Sequence, residues 1–349
     1  MNNRLMSFTF FMLSAVILSY ILIVAKNLLM PLIVAILLWY LFNTVAAYIK
    51  SIHLIGKYIP EPICLLIALL IIGSVLYHLA SIITDNVGEV IVRAPQYQAN
   101  LKSILTSIDS RFNIKILAHV NEFFSGVSFQ SIIVNIYSTF TSVTSSAFMI
   151  ALYVVFLFIE QQVMRLKLTA LFPQTKHLEL ANKIIDQIIS DTQTYVGIKS
   201  SMSLITAFSS WVIMKAVGLD FAEFWALLIF FLNFIPNIGS VIATIFPTLL
   251  ALIQFQDSWW PFIIISSGII IVQFIVGNLI EPRFLGKQLN LSPLVILISL
   301  GIWGQLWGIL GMFLSVPIMV ILMIVLSNFE KTMPIAILLS QNGTVRETD

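Results

Sequence analysis

The chain alternates between long uncharged runs and shorter stretches where charged residues cluster. About 20 apolar residues span ~30 Å of hydrocarbon at about 1.5 Å per helical residue, so each uncharged run is a candidate membrane helix. Residues 8–25 form the first and 28–49 the second, after a turn at Lys26 and Asn27. The third, 63–84, follows a polar connection, 50–61, that holds Gly56 and Pro60. Residues 143–159, 198–217 and 258–280 complete six. In the fifth, Ser200, Ser203, Thr206 and Ser210 recur every three or four residues. Small hydroxyl side chains on one helical face predict close helix packing, with solute lining as the alternative.

Two stretches read differently. Residues 85–142 carry Asp85, Glu89, Arg93, Lys102, Asp109, Arg111, Lys115 and Glu122. Among them Val87, Val90, Ile91, Ala94, Leu101, Ile104, Leu105 and Ile108 recur at helical spacing. This pattern predicts an amphipathic helix, kinked at Pro95, in a small extramembrane region. Residues 161–195, with Arg165, Lys167, Lys176 and Lys183 around Ile184 and Ile188, predict a surface helix lying at the membrane.

Two uncharged runs are too long for one crossing: 224–256 has 33 residues and 288–329 has 42. Straight helices of those lengths would be about 50 and 63 Å. The first is interrupted around Asn233, Pro236, Asn237, Gly239 and Ser240; proline removes a backbone donor and glycine permits a turn. The second opens at Ser292 and Pro293, a capping residue and an N1 proline, and is interrupted around Gly301, Gly304, Gln305, Gly308 and Gly311. Each run therefore predicts a re-entrant helical hairpin. With a cytoplasmic N-terminus and both runs re-entrant, 12 of the 18 basic residues fall on the cytoplasmic side, a better separation than any arrangement in which a long run crosses.

The expected fold is all-α: a polytopic integral membrane protein with six spans, two re-entrant hairpins and an amphipathic extramembrane region. The expected divisions are 1–84 (spans one to three), 85–142 (extracytoplasmic helical region), 143–197 (span four and the surface helix), 198–328 (transport unit) and 329–349 (cytoplasmic tail). The transport unit holds two inverted helix-plus-hairpin repeats, each with a proline in its second arm, Pro247 and Pro317. Inverted repeats with broken helices are the architecture of secondary transporters.

Composition agrees. Of 349 residues 59% are hydrophobic and 10% charged, and the mean hydropathy is +1.01. A soluble domain carries about 25% charged residues. A net charge of +2 gives no footprint for nucleic acid. The one cysteine, Cys64, cannot form an internal disulfide, and the four histidines lie far apart, so no metal or cofactor is expected. No nucleotide-binding or H-E-x-x-H motif is present, and no histidine follows His177 to serve Ser240 as a base, so an enzyme is not expected.

Irregular backbone at membrane depth is tolerated only inside protein or along an aqueous cavity, so the interruptions are candidate pathway positions. They supply Asn233, Pro236, Asn237, Gly239 and Ser240 in the first hairpin and Gly304, Gln305 and Gly308 in the second. The span between them adds Gln273, Asn278, Glu281 and Arg283; Glu281 is placed to pair with Arg283 at the interface or to take a proton or Na⁺. Glu160, Asp220, Glu223 and Asp257 read as solvated span ends, and Trp259, Trp260, Trp303 and Trp307 as interface anchors or hairpin packing.

Three blocks, FFLNFIPNIG at 230–239, GNLIEPRFLG at 277–286 and LGIWGQLWGILGMFLSVP at 300–317, give the chain a resemblance along nearly its whole length. It resembles the autoinducer-2 exporter family, also known as the PerM family of membrane proteins. The resemblance implies a bacterial inner-membrane exporter of small polar solutes, autoinducer-2 among them. It implies a homo-oligomer, with a pentamer the expected state, and carries over Asn233, Pro236, Asn237, Gly239, Asn278, Glu281, Pro282 and Gly286. Some relatives behave as Na⁺/H⁺ antiporters, which makes a Na⁺(Li⁺)/H⁺ antiporter with Na⁺ or H⁺ as coupling ion the first alternative. A non-transporting scaffold that recruits a partner through 85–142 is the second.

Overall fold

The computed structural model describes residues 3–51, 59–112, 145–256, 258–285 and 290–343. The described elements are helical apart from one antiparallel bridge between Leu291 and Ser340. In chain order they are α1 (Asn3–Val24), α2 (Lys26–Ser51), α3 (Glu61–Phe112), α4 (Ala147–Leu171) and α5 (Thr175–Val217). Then follow α6 (Ala222–Leu232), α7 (Ile238–Gln254), α8 (Trp259–Phe274), a π-helical segment (Ile275–Ile280), α9 (Glu281–Leu285), α10 (Pro293–Trp307), α11 (Ile309–Ser327) and α12 (Met333–Leu339).

Both long uncharged runs fold back on themselves. In the first hairpin α6 packs on α7, and in the second α10 packs on α11. The second starts as expected, with Ser292 at the cap position and Pro293 inside the first turn, although the Ser292 side chain makes no capping bond. It turns at Gly308 alone; α10 runs straight through Gly301 and Gly304.

Two expected boundaries are absent. The third span and the amphipathic stretch after it form one helix, α3, of 52 residues and about 78 Å, continuing through Pro95. The expected surface helix is likewise the first half of α5, 43 residues and about 65 Å long, which runs on into the fifth span. Its only interior glycine before Val217, Gly197, is closely packed, a Cβ there lying 3.1 Å from Thr44. A change from charged to apolar composition alters what surrounds a helix, and the backbone bonds continue regardless. Residues 113–142 of the expected extramembrane region lie outside the described residues, as do 143 and 144, Gly56, Asp257 and Gly286.

Among the described residues six helical stretches are long and apolar enough to cross a bilayer: Lys26–Ser51, Pro62–Ile82, Ala147–Leu171, Thr175–Val217, Trp259–Phe284 and Ile309–Ser327. The number matches the expectation, but the set differs. The second arm of the second hairpin qualifies by itself, whereas Met12–Val24 of α1 is a shorter apolar stretch. Large apolar side chains such as Leu70, Phe148, Phe208 and Ile271 are more than half exposed. So much exposed apolar surface, on helices that satisfy their own backbone groups, requires a hydrocarbon solvent.

The chain divides into two compact units. One comprises Met1–Tyr48, Ser146–Gly197 and Gly286–Asp349, and so holds α1, α4 and the second hairpin. Inside it the Trp39 indole donates to Gln161 Oε1 at 3.0 Å, joining α2 to α4. The other comprises Ile49–Ser145 and Ile198–Leu285, and holds α3, the first hairpin and α8. Its core is apolar: Met214, Phe224, Trp225, Leu250, Ile265 and Ile269 are buried together, and Trp225 stacks on Phe246 at 6.2 Å. The hydroxyl stripe of α5 lies inside this unit; Ser203, Thr206 and Ser210 are 0–2% exposed, as helix packing predicts.

Candidate functional site

The tip of the first hairpin is built by a tight turn. Beyond α6 the backbone bonds shorten to three-residue steps, with Phe234 donating to Phe231 and Ile235 to Leu232. Ile238 N–H then reaches back to the Pro236 carbonyl at 2.6 Å, closing a γ-turn around Asn237. Asn237 takes φ 59° and ψ −54°, a sparsely populated conformation that stores strain. Gly239 completes the turn because nothing larger fits: a Cβ there would lie 1.7 Å from the Leu232 carbonyl oxygen. Phe234 and Ile235 point into the core, while the Asn237 side chain is exposed.

Two of the expected pathway residues meet at this tip. Gln273 on α8 donates its amide N–H to Asn233 Oδ1 at 3.2 Å. Gln273 lies near the middle of the membrane-length stretch Trp259–Phe284, so the turn meets that helix at mid-span. Ser240 donates to the Asn237 carbonyl at 3.0 Å, and Thr244 to the Ser240 carbonyl at 2.8 Å. The turn therefore presents the exposed Asn237 amide beside a short row of amide and hydroxyl groups.

Below it, Glu281 follows a π-helical segment and precedes Pro282. Glu281 N–H bonds to Val276, five residues back, in the wide π register. Residue 282 would next donate to a carbonyl at 277 or 278, and a proline has no N–H to give. π-segments inside α-helices recur at functional sites. The carboxylate pairs with Lys199 of α5, whose Nζ lies 2.5 Å from Oε1, and the two side chains are only 10% and 17% exposed. The expected partner, Arg283, is exposed on the far side of Pro282, as is Asn278 on the near side. Lys199 is not among the expected site residues, because it stands at the start of the expected fifth span, 198–217, where a charge is ordinarily solvated. It is interior to α5, 24 residues beyond Thr175.

Asp220, read as a solvated span end, is instead an acceptor for two residues of α3. Arg93 Nη1 donates to Asp220 Oδ2 at 2.8 Å and the Tyr97 hydroxyl donates to the same atom at 2.7 Å. Burial and the Asp220 hydrogen bond push the Tyr97 phenol above its ordinary range, and the carboxylate raises Arg93 further. Glu160 and Glu223 behave nearer to expectation, making exposed pairs with Lys167 and Lys215.

The second hairpin's tip, in the other unit, is apolar. Gly308 turns it with φ 67° and ψ −146°, a region open only to glycine. A Cβ on Gly304 would meet Met312 at 2.8 Å, and one on Gly311 would lie 1.9 Å from the Trp303 carbonyl oxygen. Trp303 and Trp307 pack ring to ring at 4.9 Å. The Trp307 indole donates to the Leu22 carbonyl at 3.0 Å, in the last turn of α1. Gln305 is exposed.

Broken helices with polar groups at mid-span, on a chain of membrane-length apolar helices, define a polytopic membrane transporter. Comparison with known proteins agrees. The model of the AI-2E family transporters matches residues 5–331, and the chain belongs to that family. It is 32% identical over 288 residues to a candidate transport protein of Haemophilus influenzae, covering 80% of this chain and 82% of that one. It is 28% identical over 323 residues to the AI-2 transport protein TqsA of Escherichia coli, covering 90% of each. Over 173 residues, 49% of this chain and 47% of the other, it is 25% identical to the candidate permease PerM of Escherichia coli.

Proposed function

We propose that this transporter is a secondary exporter of a small polar solute, carried past the first hairpin's tip by Asn233, Asn237, Ser240 and Gln273. The observation behind this reading is the strained turn at Asn237, bonded through Asn233 to the middle of an apolar helix. A merely structural turn has no need of amide groups at that depth. Autoinducer-2 is the first solute to test, since the relative TqsA is named for it. The protein works in the bacterial inner membrane by alternating access, as a homo-oligomer, a pentamer by family resemblance.

Purified protein in proteoliposomes tests this with labelled autoinducer-2 in one arm and a pH dye under a Na⁺ or Li⁺ gradient in the other. Solute flux that is lost in Asn237→Leu, with a silent dye, is the expected result. A second reading, a Na⁺(Li⁺)/H⁺ antiporter, is favoured by the Lys199–Glu281 pair beside the π-helical segment. It expects a dye response lost in Glu281→Gln and no solute flux.

A further inference from the structure

We propose that the extramembrane half of α3 is a latch on the base of the first hairpin, and that Arg93 and Tyr97 are positioning residues for its tip. The base is a sharp reversal between α5 and α6. Gly218 at φ 84° and Phe221 at φ 59° are both left-handed, which lets four residues turn the chain around. Gln254, the last residue of α7, closes this reversal with both ends of its amide. Its Oε1 accepts from Asp220 N–H at 2.8 Å and its Nε2 donates to the Gly218 carbonyl at 2.9 Å. The hairpin's entry and exit are thus pinned together by one side chain.

Onto that closed base α3 lays one face. Arg93, Tyr97 and Asn100 are spaced i, i+4, i+7, so they project on the same side of the helix. Arg93 and Tyr97 share Asp220 Oδ2. Asn100 donates to the Ile253 carbonyl at 3.2 Å, one of the carbonyls that the end of α7 leaves without a helical partner. Phe221 is held from two directions, with the Arg93 guanidinium 5.7 Å from its ring centre and Tyr97 meeting it edge-on at 6.4 Å. These three side chains all land on the hairpin's base, at Asp220, Phe221 and Ile253. Because α3 is a single rod from Glu61, a shift of its extramembrane half moves the base, and the two arms carry that shift to the tip. Release of the latch should therefore raise water access at the half-buried Ser240 of the tip.

The test reads local accessibility and does not depend on which solute is carried. In a Cys64→Ala background, Ser240→Cys reports the tip and Ser267→Cys, on α8, is the control; both are labelled with a water-soluble maleimide in nanodiscs. Asp220→Asn should speed labelling at 240 by about three- to tenfold; tenfold corresponds to about 1.4 kcal/mol. Tyr97→Phe, which removes only the hydroxyl and is the safer variant for folding, should speed it by less. Glu89→Gln, exposed on the same helix, should match the parent. Unchanged labelling at 240 in both latch variants overturns the proposal, as does an equal rise at 267, which would mean general loosening.

Discussion

The two hairpins solve the same steric problem and then diverge. Each brings its second arm across its first at a glycine whose Cβ position is taken by a backbone carbonyl: Gly239 against Leu232 and Gly311 against Trp303. Each carries a buried proline further along that arm, Pro247 and Pro317. Beyond this the tips differ in chemistry. The first is polar, strained at an asparagine and bonded by an amide pair to a mid-span helix. The second turns on an unhindered glycine and is fastened by tryptophans. The shared crossing is a requirement of folding, and the difference in tip chemistry is what the proposed solute path rests on.

The largest expected effect tests the shared part. Gly239→Ala and Gly311→Ala should both abolish a monodisperse, folded product in size-exclusion chromatography, since the clash is with backbone and cannot be relieved by a rotamer change. A tolerated Gly311→Ala with a lost Gly239→Ala would break the equivalence of the two crossings.

Next comes the Lys199–Glu281 ion pair in the first hairpin's unit. Glu281→Gln strands Lys199 and should lower stability by about 3–5 kcal/mol, read as a lower thermal midpoint in detergent. The double variant Lys199→Met, Glu281→Leu should recover most of that loss, because neither charge is then left alone.

The tips themselves should separate by residue. Gly308→Ala should cost about 1–3 kcal/mol through backbone strain alone. Asn237→Gly should leave stability equal or higher by up to about 1 kcal/mol, because glycine accepts the positive φ, while solute flux falls with the lost amide. Equal flux in Asn237→Gly would reduce the first tip to a turn. Asn233→Ala, which loses one hydrogen bond, should cost about 1 kcal/mol.

The smallest expected effect concerns pH. Arg93 and Tyr97 both have raised pKa values, so each keeps its proton at neutral pH, and their stabilising contribution is lost only in strong alkali. Tip labelling should therefore be flat from about pH 6 to 9 once the maleimide's own pH dependence is subtracted.

Much of this was legible in the sequence. Uncharged run lengths gave the helices, and Pro236, Gly239 and Gly308 gave the two turns, because glycine and proline act on their own backbone. Asn233 and Gln273 were both singled out, though their mutual bond depends on how α7 packs against α8. Lys199 is passed over and Asp220 reads as a solvated span end for one reason: each lies where an uncharged run meets polar sequence, a place where a charge is ordinarily solvated. Their partners lie 82 and more than 120 residues away, and only tertiary packing brings them together. The continuity of α3 and α5 was hidden in the same way, since composition changes partway along each while the hydrogen-bond ladder does not.

The π-helical segment before Glu281 also fixes an angle. A π turn carries one residue more than the α turn it replaces, and each residue of an α-helix advances the side chains by about 100°. Everything after residue 280 is therefore rotated relative to α8 by about that much. Shortening the segment by one residue would leave Glu281 on the helix but swing its carboxylate a quarter-turn away from Lys199. The pairing thus depends on a phase offset written into the backbone as much as on the two charges, and no point substitution at either charge can reproduce the loss of that offset.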